Sequence, residues 1–254
     1  MSDLAGKTVL VTGASRGIGQ AIVQRLSHTG ARVIAHFNGN AAGVREAIAG
    51  FPADSAFVIG ADLGDPTGAR HLWDQALAWA GRIDVVVLNA AIMPKVELDA
   101  DDATWDDVVA EVLQVNTQSQ LQLLRRAVTH FGDNDGGVLV GLSSWVTQRG
   151  AGNPNLVAYA ASKGATAAAV KTVARAYADR GVLAYLIAPG SVDTRMSASA
   201  GDDRGGREAF VQSLAMKELV PPGEIAELVT MLASGRVRHL SGATLDINGA
   251  SYIR

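Results

Sequence analysis
Seven short apolar runs punctuate the sequence, and a segment of helical period follows each of the first six. The runs are Val9–Val11, Arg32–Phe37, Ala56–Ile59, Ile83–Leu88, Gly137–Leu142, Val182–Ala188 and Ala243–Ile247. Ile83–Leu88 is nearly all β-branched and apolar, as expected of a strand covered on both faces. Strands separated by helices pair in parallel, through right-handed crossovers. The alternation therefore implies one doubly wound α/β domain over residues 1–254, with a mostly parallel seven-stranded sheet and helices on both faces. No linker or repeat divides it, and a hydrophobic content of 48% supplies a full core. The fourth helical segment is predicted to run unbroken from Trp105 to His130. Its core stripe would be Val108, Val109, Val112, Leu113, Leu121 and Leu124. Asp65 or a neighbour is expected to cap the segment Pro66–Trp79.

The first strand leads into TGASRGIG, Thr12 to Gly19, before helical spacing resumes at Ile22, Val23 and Leu26. A strand that enters a helix through glycines suits a phosphate. Gly13 can make the tight turn, Gly17 lets the backbone approach an anion, and Gly19 lets helix and strand pack closely. The free N–H groups and positive end of the helix would face a pyrophosphate. The spacing is G-x-x-x-G-x-G rather than the more familiar G-x-G-x-x-G, so taken alone an ordinary turn stays open.

Bulk composition narrows the classes. Net charge is −3, without a long block of like charge, which argues against a nucleic-acid or membrane partner. The lack of cysteine excludes disulfides, cysteine nucleophiles and cysteine-ligated zinc. His28, His36, His71, His130 and His239 are scattered without ligand spacing, so no metal is expected. The chain opens without a basic region followed by a long apolar stretch, and no run approaches membrane-spanning length. A cytoplasmic location is the expectation.

Tyr159-Ala-Ala-Ser-Lys163 places a phenol and an ammonium one helical turn apart on the same face. A free tyrosine has a pKa of roughly 10. A nearby ammonium favours the phenolate, which would make the tyrosine a usable general acid/base near neutral pH. Taken alone, such a pair reads as a solvated helix face. Ahead of it, Gly141-Leu-Ser-Ser-Trp145 ends a strand at the same sheet edge, where a hydroxyl could hydrogen-bond a substrate oxygen. A turn or cap role is the plainer alternative for those serines.

Together these segments resemble the short-chain dehydrogenase/reductase family, and within it 3-oxoacyl-(acyl-carrier-protein) reductase-like members. The likeness covers nearly the whole chain: Thr12 to Gly19, Asp62-Leu63, Asn89-Ala90-Ala91, Asn116, Ser144, Tyr159-x-x-x-Lys163 and Pro189-Gly-Ser-Val-Asp-Thr194. The resemblance implies a Rossmann-type fold and an NAD(P)(H)-dependent oxidoreductase acting on a ketone or secondary alcohol. It implies Tyr159 as acid/base and Ser144 as the group that orients and polarises the carbonyl. Lys163 would lower the tyrosine pKa and hold the nicotinamide ribose, and Asn116 would support a water linking Lys163 to solvent. Gly13, Ser15, Arg16, Gly17, Ile18 and Gly19 would cradle the cofactor. Asp62 and the Leu63 backbone would meet the adenine, and Asn89, Ala90 and Ala91 would pass the adenosine ribose. Pro189, Gly190, Val192 and Thr194 would line the nicotinamide. A catalytically idle dinucleotide-binding regulator or scaffold is the alternative. A nucleotide-sugar dehydratase or epimerase is a third, opposed by the short length and by the position of the glycines.

Three departures stand out. Ala91 replaces the usual glycine. Ser144 and Tyr159 are separated by about two residues more than is common, with the excess expected in Gly150–Asn155 at the pocket rim. Of the adjacent serines, Ser144 fits the motif and Ser143 is expected on the opposite face of the strand, in a structural role. A substrate lid is expected at 191–216, where Asp202 and Asp203 sit among Arg195, Arg204 and Arg207 and form no basic cluster. Met93, Pro94, Trp145, Val146, Asn153 to Leu156 and Met196 are candidate pocket residues. The second strand ends Ala35-His-Phe-Asn-Gly39 with no carboxylate at or beside Phe37. Arg16, Asn38 and, when protonated, His36 would favour a 2′-phosphate, so NADP(H) is expected over NAD(H), with NAD(H) use still open. Small residues along Val157–Arg180 suggest, with the family's habit, a homotetramer built as a dimer of dimers on paired helices.

Overall fold
A computed structural model of the chain describes residues 4–197 and 206–253. Its sheet has seven strands: β1 Thr8–Val11, β2 Arg32–Phe37, β3 Ala56–Gly60, β4 Val85–Leu88, β5 Gly137–Leu142, β6 Val182–Pro189 and β7 Thr244–Ile247. Their order is β3-β2-β1-β4-β5-β6-β7, and every pairing is parallel. The chain's direction of growth reverses between β1 and β4, which opens a crevice at the carboxyl ends of those central strands.

Alternation along the strands builds the two faces. Val9, Val11, Val33, Ala35, Val85 and Val87 enter one core, with α1 (Gly17–Leu26) and α8 (Pro222–Ala233) packed over it. Leu10, Ile34, Val86 and Leu88 enter the other. That face is covered by α3 (Gly68–Ala80), α5 (Ser119–Gly132) and α7 (Val157–Ala176).

The segment predicted as one helix from Trp105 to His130 is interrupted. α4 (Asp102–Leu113) passes into a π-helical turn, Gln114–Gln118, before α5 begins. An extra residue in a turn rotates all later positions by about 100° about the axis. A single stripe of constant period therefore fails across it. Val112 and Leu124 are buried, but Leu113 and Leu121 are 40% and 39% exposed. Asp65 sits ahead of α3 rather than at its cap: its Oδ1 accepts from the N–H and the hydroxyl of Thr67. Among the described residues no helix is long and apolar enough to cross a membrane, and no group of three or more acidic or histidine side chains could hold a metal.

Candidate active site
The crevice holds a cavity of about 850 Å³, lined by the loops that follow β1, β3, β4, β5 and β6 and by α7. Its first wall is the glycine loop. Gly13 and Gly17 have φ of +69° and +54°, in the left-handed region. A Cβ on Gly13 would lie 3.0 Å from Ala90 Cα, one on Gly17 3.0 Å from Thr194 Cγ2, and one on Gly19 2.1 Å from the Gly13 carbonyl oxygen. Helix α1 opens here with no side-chain cap and no acidic residue in its first turn. A bare helix N-terminus behind a cradle too tight for methyl groups fits the pyrophosphate of a dinucleotide.

Buried hydrogen bonds fasten this loop. Thr12 Oγ1 donates to Val87 O and accepts from the N–H groups of Asn89 and Ala90, at 3.1, 2.9 and 3.0 Å. Asn89 Nδ2 donates to the carbonyls of Thr12 and Gly13, so its side chain serves the loop itself. Asn40 caps α2 (Ala41–Ile48) and donates to Ser15 O at 3.0 Å. His36 Nδ1 accepts from Gly13 N–H at 3.1 Å, while its Nε2 lies 3.0 Å from Ala61 O. That pair of partners selects the neutral tautomer with the proton on Nε2. Burial lowers the pKa of His36, outweighing the Ala61 carbonyl and Asp62, which raise it. The expectation that protonated His36 would meet a phosphate is therefore corrected: the ring is buried, neutral and engaged on both nitrogens.

Beyond the glycine loop, Asn38, Asp62 and Leu63 line the cavity together, with exposed Arg16. Strand β2 carries no carboxylate at its end, but the tertiary fold delivers one. Asp62 Oδ1 accepts from Asn38 Nδ2 at 3.1 Å and from Gly64 N–H at 2.8 Å.

Tyr159, Lys163 and Ser144 are all buried against the same cavity. Lys163 Nζ donates to Leu142 O at 2.8 Å and lies 5.9 Å from the Tyr159 ring centroid. Burial pushes Tyr159 up to about 12, with a hydrogen bond to Ser144 pulling the other way. Burial also lowers Lys163 to about 8. The expectation that Lys163 lowers the tyrosine pKa does not hold for the chain by itself: desolvation dominates both groups, and Tyr159 keeps its proton.

Asn116 lies behind this wall rather than on it, in the π turn. Its Oδ1 accepts from Ile92 N–H, and its Nδ2 donates to Ile92 O and Ser162 Oγ, at 2.8, 2.8 and 3.1 Å. Its backbone carbonyl accepts from Thr166 Oγ1. Ser143 lines the cavity beside Ser144, and its buried Oγ finds no protein hydrogen-bond partner. The β5–β6 ladder continues past Leu142, with the N–H groups of Ser143 and Trp145 donating to Ile187 O and Pro189 O at 2.8 and 3.0 Å.

The remaining expected cofactor residues line the cavity too: Ser15, Ile18, Ala91, Pro189, Gly190, Val192 and Thr194. So do Met93, Pro94, Trp145, Val146, Asn153, Leu156 and Met196, and the rim segment Gly150 to Gly152. Pro154 and Asn155 do not, being the first residues of a 3₁₀ turn. From the expected lid, Ser197 and Phe210 also face the cavity, while residues 198–205, with Asp202, Asp203 and Arg204, lie outside the described residues. Arg207 pairs with Asp193 at 2.8 Å. Arg149, absent from the expected set, joins the lining from α6 (Val146–Arg149).

Known proteins resemble the chain over nearly its whole length. A family profile described as Enoyl-(Acyl carrier protein) reductase matches residues 13–250. The chain is 32% identical over 256 residues to a 3beta-hydroxysteroid dehydrogenase 1 of Eggerthella lenta, covering 97% of this chain and 94% of that one. It is 29% identical over 251 residues to a 3-oxoacyl-(acyl-carrier-protein) reductase FabG of Staphylococcus aureus, covering 97% and 98%. A solved short chain dehydrogenase from Burkholderia cenocepacia, in complex with NADP, superposes with a TM-score of 0.87 at 31% identity, covering 98% of this chain and 99% of that one.

Proposed function
The chain belongs to the short-chain dehydrogenase/reductase family, and from that premise we propose an NADP(H)-preferring oxidoreductase that interconverts a ketone and a secondary alcohol. The observation that carries the reading is the meeting, in one cavity, of the glycine cradle with buried Tyr159, Ser144 and Lys163. The nicotinamide supplies or accepts the hydride when bound. Tyr159 Oη gives its proton to the carbonyl oxygen. Ser144 Oγ donates a hydrogen bond to the same oxygen as charge develops there. Lys163 holds the nicotinamide ribose and, once the site is occupied, stabilises the phenolate. Asn116 pins the Ile92 segment and α7 at the rear of the site, where it would support a water reaching Lys163. Asp62 and Leu63 serve the adenine, and Pro189, Gly190, Val192 and Thr194 the nicotinamide.

Exposed Arg16 supports the preference for a 2′-phosphate. Asp62 weakens that support less than its position suggests, since Asn38 and Gly64 already engage it. We further propose that residues 191–216 close over the substrate, that residues 1–254 act as one domain, and that the protein works in the cytoplasm. A homotetramer is proposed on paired α4, α5 and α7 helices, supported by exposed Leu113, Leu121 and Val157. A monomer mass by light scattering at micromolar concentration would defeat that assembly. The catalytic reading is tested by following NADPH absorbance with a varied panel of carbonyl compounds, then repeating with NADH and with Arg16→Ala. NADPH consumption with the higher kcat/KM, reduced towards the NADH value in Arg16→Ala, is expected. No consumption with any carbonyl would refute the oxidoreductase, and better use of NADH would refute the preference.

A further inference from the structure
Arg149 is a cation at the cavity that neither the catalytic residues nor the glycine cradle explains. It ends α6, five residues after Ser144, and its N–H donates to Trp145 O. Its guanidinium lies 4.8 Å from the Trp145 ring centroid and 5.9 Å from that of Tyr252. Both rings are themselves held. Trp145 N–H donates to Pro189 O at 3.0 Å, and its ring packs beside Gly190, where a Cβ would come within 3.4 Å of Cε3. Tyr252 is tied through its backbone to the Asn248 side chain, which donates to its carbonyl at 3.0 Å.

Aromatic stacking uses the faces of a guanidinium and leaves its in-plane N–H donors unspent. No carboxylate pairs with Arg149 among the described residues, and no side-chain hydrogen bond ends on it. Glu111 lines the same cavity without joining it. A planar fork of donors, fixed by two rings on the wall that carries Ser144, suits an oxyanion with two parallel acceptor oxygens.

We propose that Arg149 recognises an anionic group, a carboxylate or a phosphate, on the substrate that Tyr159 and Ser144 act upon. Arg149 closes the four-residue α6 that begins two residues after Ser144, a helical rise on the order of 6 Å, so the anion stands several bonds from the reacting carbonyl. The inference rests on the oxidoreductase reading for its setting, and its test separates the two. The probes are 4-acetylbenzoate, its methyl ester and 4-acetylphenyl phosphate.

With NADPH, the expected result is a kcat/KM at least about tenfold higher for the acid than for the ester, equivalent to ~1.4 kcal/mol. Arg149→Gln should collapse that ratio mainly through KM for the acid, and Arg149→Lys should restore part of it. A second arm needs no turnover: Tyr159→Phe loaded with NADP+ is titrated calorimetrically with each probe. Tighter binding of the acid or the phosphate than of the ester, lost on adding Arg149→Gln, supports the assignment even if no probe is reduced, in which case only the oxidoreductase reading suffers. Whichever anion binds more tightly identifies the source. Equal binding of acid and ester, or a preference that survives Arg149→Gln, overturns the proposal while leaving carbonyl reduction intact.

Discussion

His36 offers a quantitative test of how the cofactor loop is held. Its Nδ1 is the acceptor for Gly13 N–H, and Gly13 is the turn residue of the cradle. Gln in place of His36 can keep a donor near Ala61 O but offers no acceptor to Gly13. Asn can place its Oδ1 where Nδ1 stood, and loses the Ala61 contact instead. An unsatisfied buried N–H costs about 1–3 kcal/mol, or roughly 5- to 150-fold in an equilibrium constant. His36→Gln should therefore lose that amount, divided between unfolding free energy and cofactor affinity, whereas His36→Asn should lose less of the affinity. The pH dependence has a definite sign. Burial lowers the folded-state pKa, so below about 6.5 the unfolded chain takes up a proton that the folded chain refuses. Stability then falls with decreasing pH, with a slope approaching ~1.4 kcal/mol per pH unit until the folded-state pKa is reached. His130 is lowered as well, chiefly by burial, but it is common to all three proteins and cancels in the difference. Urea unfolding from pH 5 to 8 and fluorescence titration with NADPH provide both quantities. Parallel stability profiles for wild type and His36→Asn, or unchanged affinity and stability in His36→Gln, would refute the reasoning.

Two other substitutions probe the same cavity. Gly19→Ala puts a methyl group 2.1 Å from the Gly13 carbonyl oxygen, which backbone cannot yield without opening the loop. Cofactor binding should be abolished in a chain that still unfolds cooperatively, and calorimetric titration with NADPH checks it. Lys163→Met removes a buried ammonium whose pKa burial has lowered to about 8. The unfolded chain holds that proton up to about 10.5, so wild-type stability rises as pH climbs from 8 towards 10.5. The variant should gain stability relative to wild type below pH 8, by at most about 3 kcal/mol before the orphaned Leu142 carbonyl is counted, while losing turnover. Its advantage should shrink between pH 8 and 10, and an advantage independent of pH would contradict the burial argument.

The sheet was legible because its inner strands β1, β4, β5 and β6 are buried on both faces and so read as apolar runs; β2 and β5 match the predicted bounds, Arg32–Phe37 and Gly137–Leu142. The cavity-facing motif residues were legible because backbone demands, such as the glycines at Gly13 and Gly17, leave direct marks in composition. Three features were not. The π turn at Gln114–Gln118 has no composition signal, and by shifting the helical phase of every later position it moved Leu121 out of the stripe that constant period assigned it. His36 and Asn40 act on residues 23 and 25 positions away, through contacts that only the β1–β2 pairing creates. Arg149 looks like any exposed helix-end arginine until the rings of Trp145 and the distant Tyr252 are seen within 4.8 and 5.9 Å of it.

The central claim is that Tyr159 passes the proton while the cradle merely holds the cofactor. Single-turnover reduction of a carbonyl substrate by the NADPH complex, compared between wild type and Tyr159→Phe, tests it most directly. The account predicts a rate lower by roughly 10²-fold or more in the variant, with NADPH affinity little changed because the ring and the buried packing persist. A near-normal rate in Tyr159→Phe would contradict it.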